Sequence, residues 1–208
     1  MISEFNVKKI LSEKLQFDKK KIKKLDDFAE NLLIFNKKHN LISKNTEKSI
    51  WDRHILDSAQ LVKFINPNTC NSIADLGTGG GFPGVILAIF FNNFNFHVKL
   101  YEKSPLKCFF LNEIVNIIKI NAIIINNDIN NEKIDSNYVV CRAFKKLPQI
   151  LNISREKCIK RHKLILMRGR SAQQELKKAF KEQNYKYRLE KSITDSESKI
   201  VIIDVKRK

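Results

Sequence analysis

The sequence predicts an α/β protein in which a doubly wound, mostly parallel sheet is closed by a C-terminal antiparallel hairpin and preceded by an N-terminal helical extension. Three observations predict it. Apolar residues recur at helical spacing through the first part of the chain, which shows no strand-like alternation and no glycine before Gly77. From Ser72 onward, short apolar runs alternate with helix-compatible segments, the texture of βαβ units. The chain then closes on two apolar runs separated by the short polar "TDSE", which suits an antiparallel hairpin. The 208 residues suffice for one substantial core with a small helical addition. We divide them into an extension over 1–66 and one compact α/β unit over 67–208.

The elements follow in order. "MISEFNVKKILSEKL" is amphipathic with acids mixed in, which argues against a signal peptide. In "DKKKIKKLDDFAENLLIF" the spacing of Leu25, Phe28, Ala29, Leu32 and Leu33 predicts a helix, with Asp18 placed to cap it. "TEKSIWDRHILDSAQLVKFI" repeats the pattern through Ile50, Trp51, Ile55, Ala59 and Val62 after a Thr46 cap, and "NPNTCN" then marks a turn. "SIADL", "HVKLYE", "AIIIN", "YVVCRA" and "KLILMR" read as buried parallel strands, and "YKYRLEKSI" with "SKIVIIDV" as the hairpin. Pro83 suits a first helical turn, and Ser104 with Pro105 gives a cap followed by the favoured first-turn proline.

Composition narrows the function. Apolar residues make up 43% and charged residues 29%, and no apolar run approaches the length needed to span a bilayer. Cys70, Cys108, Cys141 and Cys158 form no C-x-x-C pair, so neither a zinc site nor a disulfide framework is expected and a reducing cytoplasm is the natural setting. The balance of 39 basic to 22 acidic residues, a formal +17, favours a polyanionic partner such as nucleic acid. The richness in Ile, Asn and Lys is as expected of compositional bias, which alone could supply part of this charge.

Five of the six glycines fall between Gly77 and Gly84. Three nucleotide-binding readings compete for "DLGTGGGFPG". A Walker A loop needs Gly-Lys-Ser/Thr at its end, and "FPG" stands there instead. A literal G-x-G-x-x-G does occur at Gly79, Gly81 and Gly84, with Glu102 about where a ribose-binding acid lies in a dinucleotide fold, so a nicotinamide-dependent oxidoreductase stays open. The third reading adds Asp75: an acid at a strand end followed by Gly77, Gly79 and Gly81 resembles the cofactor loop of class I S-adenosylmethionine-dependent methyltransferases, which have a Rossmann-like sheet. In that reading the glycines admit the cofactor against the backbone, Asp75 meets its methionine ammonium directly or through water, Glu102 accepts its ribose hydroxyls, and Asp128 in "NND" frames the adenine. A parallel sheet closed by an antiparallel hairpin is typical of such enzymes.

"HNLIS", "RHILDS", "DLGTGGGFPG", "EKSPLKCFFL" and "VVCRAF" together resemble the RsmG (GidB) family of bacterial 16S ribosomal RNA methyltransferases, from about Asn40 to Phe144. The resemblance implies methyl transfer from S-adenosylmethionine to N7 of a guanine in the decoding region. It implies 16S ribosomal RNA or the small-subunit particle as partner and the cytoplasm as location. It places cofactor contacts on Gly77, Phe82, Ile129, Asn130 and Arg142. The sequence departs from the family at Glu102, where Asp is usual, around "DIN", and at "MRGR", which keeps a cation at Arg168.

N7 carries its own lone pair, so no general base, catalytic triad or metal is expected, and catalysis reduces to positioning and exclusion of water. Cys141 reads as a buried structural thiol. Arg142, at the carboxyl end of a central strand, is the candidate catalytic residue, against the reading of a structural ion pair with an acid such as Asp75. Arg53, His54, Asp57, Lys107 and Arg168 are candidates for the substrate side; Arg53, His54 and Asp57 read equally as a structural network. Lys37, Lys38, His39, Lys44, Arg53, Lys103 and Lys107 could form one basic surface beside the cofactor mouth; Phe82, exposed in the loop, could pack on the cofactor or seal the helix start. A non-catalytic RNA-binding or assembly module would use the charge alone.

Overall fold

Strand residues one apart feed opposite faces of the sheet, and in the computed structural model this alternation builds three layers. The structure describes residues 2–68, 71–92, 95–179 and 186–206; Cys70 lies outside them. Strands β1 (Ser72–Leu76), β2 (His97–Glu102), β3 (Ala122–Asn126), β4 (Tyr138–Arg142), β5 (His162–Arg168), β6 (Tyr187–Lys191) and β7 (Lys199–Val205) form one sheet in the order β3-β2-β1-β4-β5-β7-β6. The first five are parallel; β7 runs antiparallel between β5 and β6. Strand order reverses between β1 and β4, and ligands bind in the crevice beyond the carboxyl ends at such a point.

One face, with Ile73, Val98, Leu100, Val140, Ile165 and Ile202, packs against the helices of the extension and against α5 (Gly84–Phe91) and α6 (Pro105–Ile118). The opposite face, with Ala74, Leu76, Val139, Cys141, Leu164 and Ile203, packs against α7 (Leu147–Lys157) and α8 (Ala172–Ala179). Residues of α1 (Glu4–Leu15) and α2 (Lys19–Asn36) belong to the same buried cluster as β1 and β2. Asp18 caps α2 as its position predicts, accepting from Lys21 N–H at 2.8 Å.

Three local expectations need correction. Thr46 is not a cap: it lies inside the short helix α3 (Lys44–Glu47), and its hydroxyl turns to His54. The helix expected after it is not continuous, since Trp51–Leu56 is a π-helical segment, Asp57–Ala59 is α-helical (α4) and Gln60–Phe64 is a 3₁₀ turn. The wider turn inserts a residue and brings Trp51, Asp52, His54, Ile55 and Leu56 all to buried positions. Pro83 stands at the cap position of α5 rather than in its first turn, whereas Ser104 and Pro105 occupy the predicted cap and first-turn positions of α6, without a side-chain cap bond.

Candidate active site

The carboxyl ends of β1, β2 and β4 frame a cavity of about 320 Å³, within the size range of small-molecule sites, lined among others by Gly77, Gly79, Tyr101, Glu102, Asp128, Ile129, Ala143 and Phe144. The glycine loop is tied to β2 by Gly77 and Thr78, whose N–H groups both donate to the Tyr101 carbonyl at 2.9 and 3.1 Å. Gly77 has φ +69°, and a Cβ there would stand 2.2 Å from the Phe144 ring. Only glycine satisfies both the conformation and the ring. Gly79 has φ +59°, a Cβ there would meet nothing nearer than the Gly77 carbonyl oxygen at 4.0 Å, and its bare backbone lines the cavity. Glu102 lines the cavity beside the loop: Oε2 accepts from Gly79 N–H at 3.0 Å and Oε1 from Ser104 N–H at 2.9 Å. Each oxygen keeps a lone pair for a ligand hydroxyl.

Asp75 lies elsewhere than its motif suggests. It is completely buried, outside the cavity wall, and its Oδ2 accepts from Gly84 N–H at 2.8 Å. A carboxylate at a helix N-terminus fixes the loop by satisfying a donor that the helix leaves free. Its Oδ1 has no hydrogen-bond partner, and burial pushes its pKa up to about 7. Gly81 also stands back from the cavity, turned against Val85 and Leu111. Asn130 bonds Asp128 Oδ1 through both its backbone and its side-chain N–H groups, at 2.9 and 2.8 Å, and so shapes the adenine-side turn without lining the cavity. Phe82 is buried, not exposed, because the Phe28 and His54 rings cover it at centroid distances of 5.3 and 5.0 Å.

Arg142 sits on the central strand, as expected, yet its side chain leaves the first cavity and enters a second of about 430 Å³. That cavity is lined by Arg53, His54, Asp57, Arg142, Arg168 and Glu175, together with the turn of the β6–β7 hairpin. The Arg142 guanidinium donates to the Arg53 carbonyl at 2.9 Å and to His54 Nδ1, pairs with Asp57 at 3.5 Å, and lies 5.3 Å over the Phe82 ring. Its acid is thus Asp57 rather than Asp75. A guanidinium has donors only, so His54 Nδ1 must accept and Nε2 carries the proton, given to Thr46 Oγ1 at 2.9 Å. Burial, reinforced by Arg142 and Arg53, lowers the His54 pKa to about 3, so the imidazole is neutral throughout the physiological range.

Asp57 gathers three elements. Besides Arg142 it accepts from Thr194 Oγ1 at 2.8 Å and Gln60 Nε2 at 2.9 Å, while Gln60 Oε1 accepts from Ile193 N–H at 2.9 Å. The extension, the central strand and the terminal hairpin therefore meet at one partly buried carboxylate whose pKa is raised by desolvation.

The structure brings Arg53, His54, Asp57 and Arg168 together in the second cavity, as their candidacy for one side of the site requires. Lys107 is not with them: it lines the first cavity with Lys103 and Lys145. Arg53 lines only the second, so these cations do not share one wall. Cys141 is buried with its thiol pushed up to about 12 by burial, consistent with an inert structural role. Sequence reasoning missed Tyr101, Ala143, Phe144, Glu175 and Thr194. Ala143 lines both cavities and, though not glycine, has φ +49°, a conformation that side chains avoid and that clusters at functional sites. Among the described residues no group of three or more His, Cys, Asp or Glu is arranged to hold a metal, and no helix is long and apolar enough to cross a membrane.

Comparison with known proteins gives concordant findings. Residues 21–203 match the family described as GidB, rRNA small subunit methyltransferase G. A protein of Rickettsia bellii named ribosomal RNA small subunit methyltransferase G is 38% identical over 182 residues, covering 88% of this chain and 92% of its own. A protein of the same name from Pelagibacter ubique is 37% identical, covering 83% of each chain. Among solved structures, a SAM-dependent methyltransferase from Aquifex aeolicus superposes with a TM-score of 0.57 at 12% identity, over 77% of this chain and 94% of that one. TYW2 of P. horikoshii, solved with MeSAdo, gives 0.52 at 14% identity over 73% and 61%. These two share the fold.

Proposed function

The chain belongs to the rRNA small subunit methyltransferase G family, and from that premise we propose that it transfers a methyl group from S-adenosylmethionine to N7 of a guanine in the decoding region of 16S ribosomal RNA. The observation that carries the reading is the pair of cavities at the carboxyl ends of the central strands, both lined by Ala143. Cofactor and base, one in each, would meet there. A small-subunit substrate and a cytoplasmic location belong to the same reading.

The first cavity fits the cofactor. Gly77 and Gly79 present bare backbone for its amino-acid portion, Glu102 has free lone pairs for its ribose hydroxyls, and Asp128 with Ile129 bounds the adenine side. When bound, the cofactor supplies a sulfonium methyl; the N7 lone pair forms the new N–C bond as the C–S electrons return to sulfur. The protein has no proton to remove from N7, so its work is alignment. Arg142, locked by His54, Asp57 and the Arg53 carbonyl, holds the wall behind the base. Transfer moves positive charge from sulfur to the purine, and the second cavity meets it with three acids, Asp57, Asp195 and Glu175, each balanced by an arginine of the same lining.

Calorimetry tests the cofactor assignment. Saturable binding of S-adenosylhomocysteine with no response to NAD is expected. The reverse would support the oxidoreductase reading of the glycine loop, and binding of neither, with RNA retained, would support a non-catalytic RNA-binding module.

A further inference from the structure

The far wall of the second cavity holds two opposite charges that the network around Arg142 does not use. Glu175, on α8, faces Arg168 at the end of β5, but Oε2 and Nη1 stand 4.0 Å apart, beyond hydrogen-bond reach. Each residue is anchored at its other end. Ser171 donates to Glu175 Oε1 at 2.6 Å, and Arg168 Nη2 donates to the Lys145 carbonyl at 2.8 Å. Glu175 Oε2 and Arg168 Nε are shut from water with no hydrogen-bond partner. Leaving such atoms unpaired is costly in a protein alone, and a ligand that brings its own donors and acceptors removes the cost.

Guanine presents what this wall lacks. Its Watson–Crick edge offers an acceptor, O6, followed by two adjacent donors, N1–H and the N2 amine. An arginine beside a carboxylate is complementary in that order, and N7, on the opposite side of O6 from N1, is left free for methyl transfer. Adenine would turn its N1 lone pair toward the carboxylate and be rejected. Resting on the guanine-N7 reading above, we propose that Glu175 is a specificity-determining residue that accepts the N1–H and N2 amine protons of the target guanine, with Arg168 facing O6. The Glu175 side chain lines the cavity and is 32% exposed; because Oε2 is shut from water and Oε1 is held by Ser171, the carboxylate must turn toward the base when it binds.

The test replaces the target guanosine by inosine, which lacks only the N2 amine, in 16S RNA reconstituted into small-subunit particles. Methyl transfer from labelled S-adenosylmethionine is then compared for the native protein and Glu175→Gln. The native protein should prefer guanosine by about tenfold or more in kcat/KM, the scale of one well-placed base contact. Glu175→Gln should lose activity on guanosine and show little preference between the two bases, with unchanged affinity for S-adenosylhomocysteine reporting an intact fold. Full guanosine preference in Glu175→Gln would overturn the proposal. If Glu175→Gln does not fold, Glu175→Asp sets the carboxylate back by one methylene, and undiminished preference there would overturn it equally. Absence of N7 product from the native protein would instead overturn the guanine-N7 reading on which the proposal rests.

Discussion

At the residue scale, Arg142 and His54 define what the second cavity can do. A crevice arginine, seen in sequence alone, should matter for rate and little for stability. The structure changes the second half of that expectation, because the guanidinium neutralises Asp57, of which only 19% of the side chain is exposed. Arg142→Ala is expected to slow methyl transfer by ~100-fold through misplacement, and also to cost about 1–3 kcal/mol of stability by leaving a partly buried carboxylate without its cation. Single-turnover kinetics and urea unfolding measure the two effects; full activity would remove Arg142 from the site. His54 makes a pH prediction. Its folded pKa, about 3, lies below the ordinary value of 6.5, so between these limits the unfolded chain binds a proton that the folded chain refuses. Stability contributed by His54 is present above about pH 6.5 and is lost as pH falls toward 3. Asp75, raised to about 7, acts in the opposite sense, its contribution being lost as pH rises toward 7. Comparing native protein with His54→Gln isolates the histidine: the native curve should fall more steeply below pH 6.5, and parallel curves would contradict the neutral, buried imidazole.

At the element scale, the terminal hairpin is held onto the extension by Gln60, which donates to Asp57 and Ser192 and accepts from Ile193 N–H. Gln60→Ala should cost about 1–3 kcal/mol, because it strands buried partners, and should speed amide exchange in β6 and β7. Unaltered exchange would show that the hairpin is held by its sheet bonds alone. This junction also marks where the sequence stops being legible. The strands could be read because buried runs such as "SIADL" and "YVVCR" announce themselves locally, and the glycine loop because its conformations demand glycine at Gly77. The contact of Asp57 with Thr194 joins residues 137 apart, and no local pattern encodes such a pairing. The π segment was equally hidden: "WDRHIL" has the same apolar spacing as an α-helix, and its wider turn is seen only in the structure, where Trp51 and Leu56 join the main buried cluster and the His54 ring lies against Phe82. Phe82 itself was misjudged because a loop aromatic reads as exposed until Phe28, from a distant helix, is seen to cover it.

At the scale of the whole molecule, residues of the extension and of the sheet form one continuous buried cluster, from Val7 and Leu25 through Trp51 to Ile73 and Ile202. We therefore propose that the 1–66 extension and the 67–208 unit unfold together. Fluorescence of Trp51, the single tryptophan, reports the extension, and far-ultraviolet circular dichroism reports the whole chain. Their denaturation curves should coincide, and an earlier Trp51 transition would separate the two units. The extension also completes the second cavity through Arg53, His54 and Asp57, so the methyl-transfer site is a property of the entire chain. Its product can be identified directly. After incubation of small-subunit particles with the protein and labelled S-adenosylmethionine, borohydride reduction and aniline treatment break RNA at N7-methylguanine. The account predicts label in 16S ribosomal RNA and a single new cleavage in the decoding region, dependent on the protein. Label on a pyrimidine, on an exocyclic amine or on ribosomal protein, with no such cleavage, would contradict it.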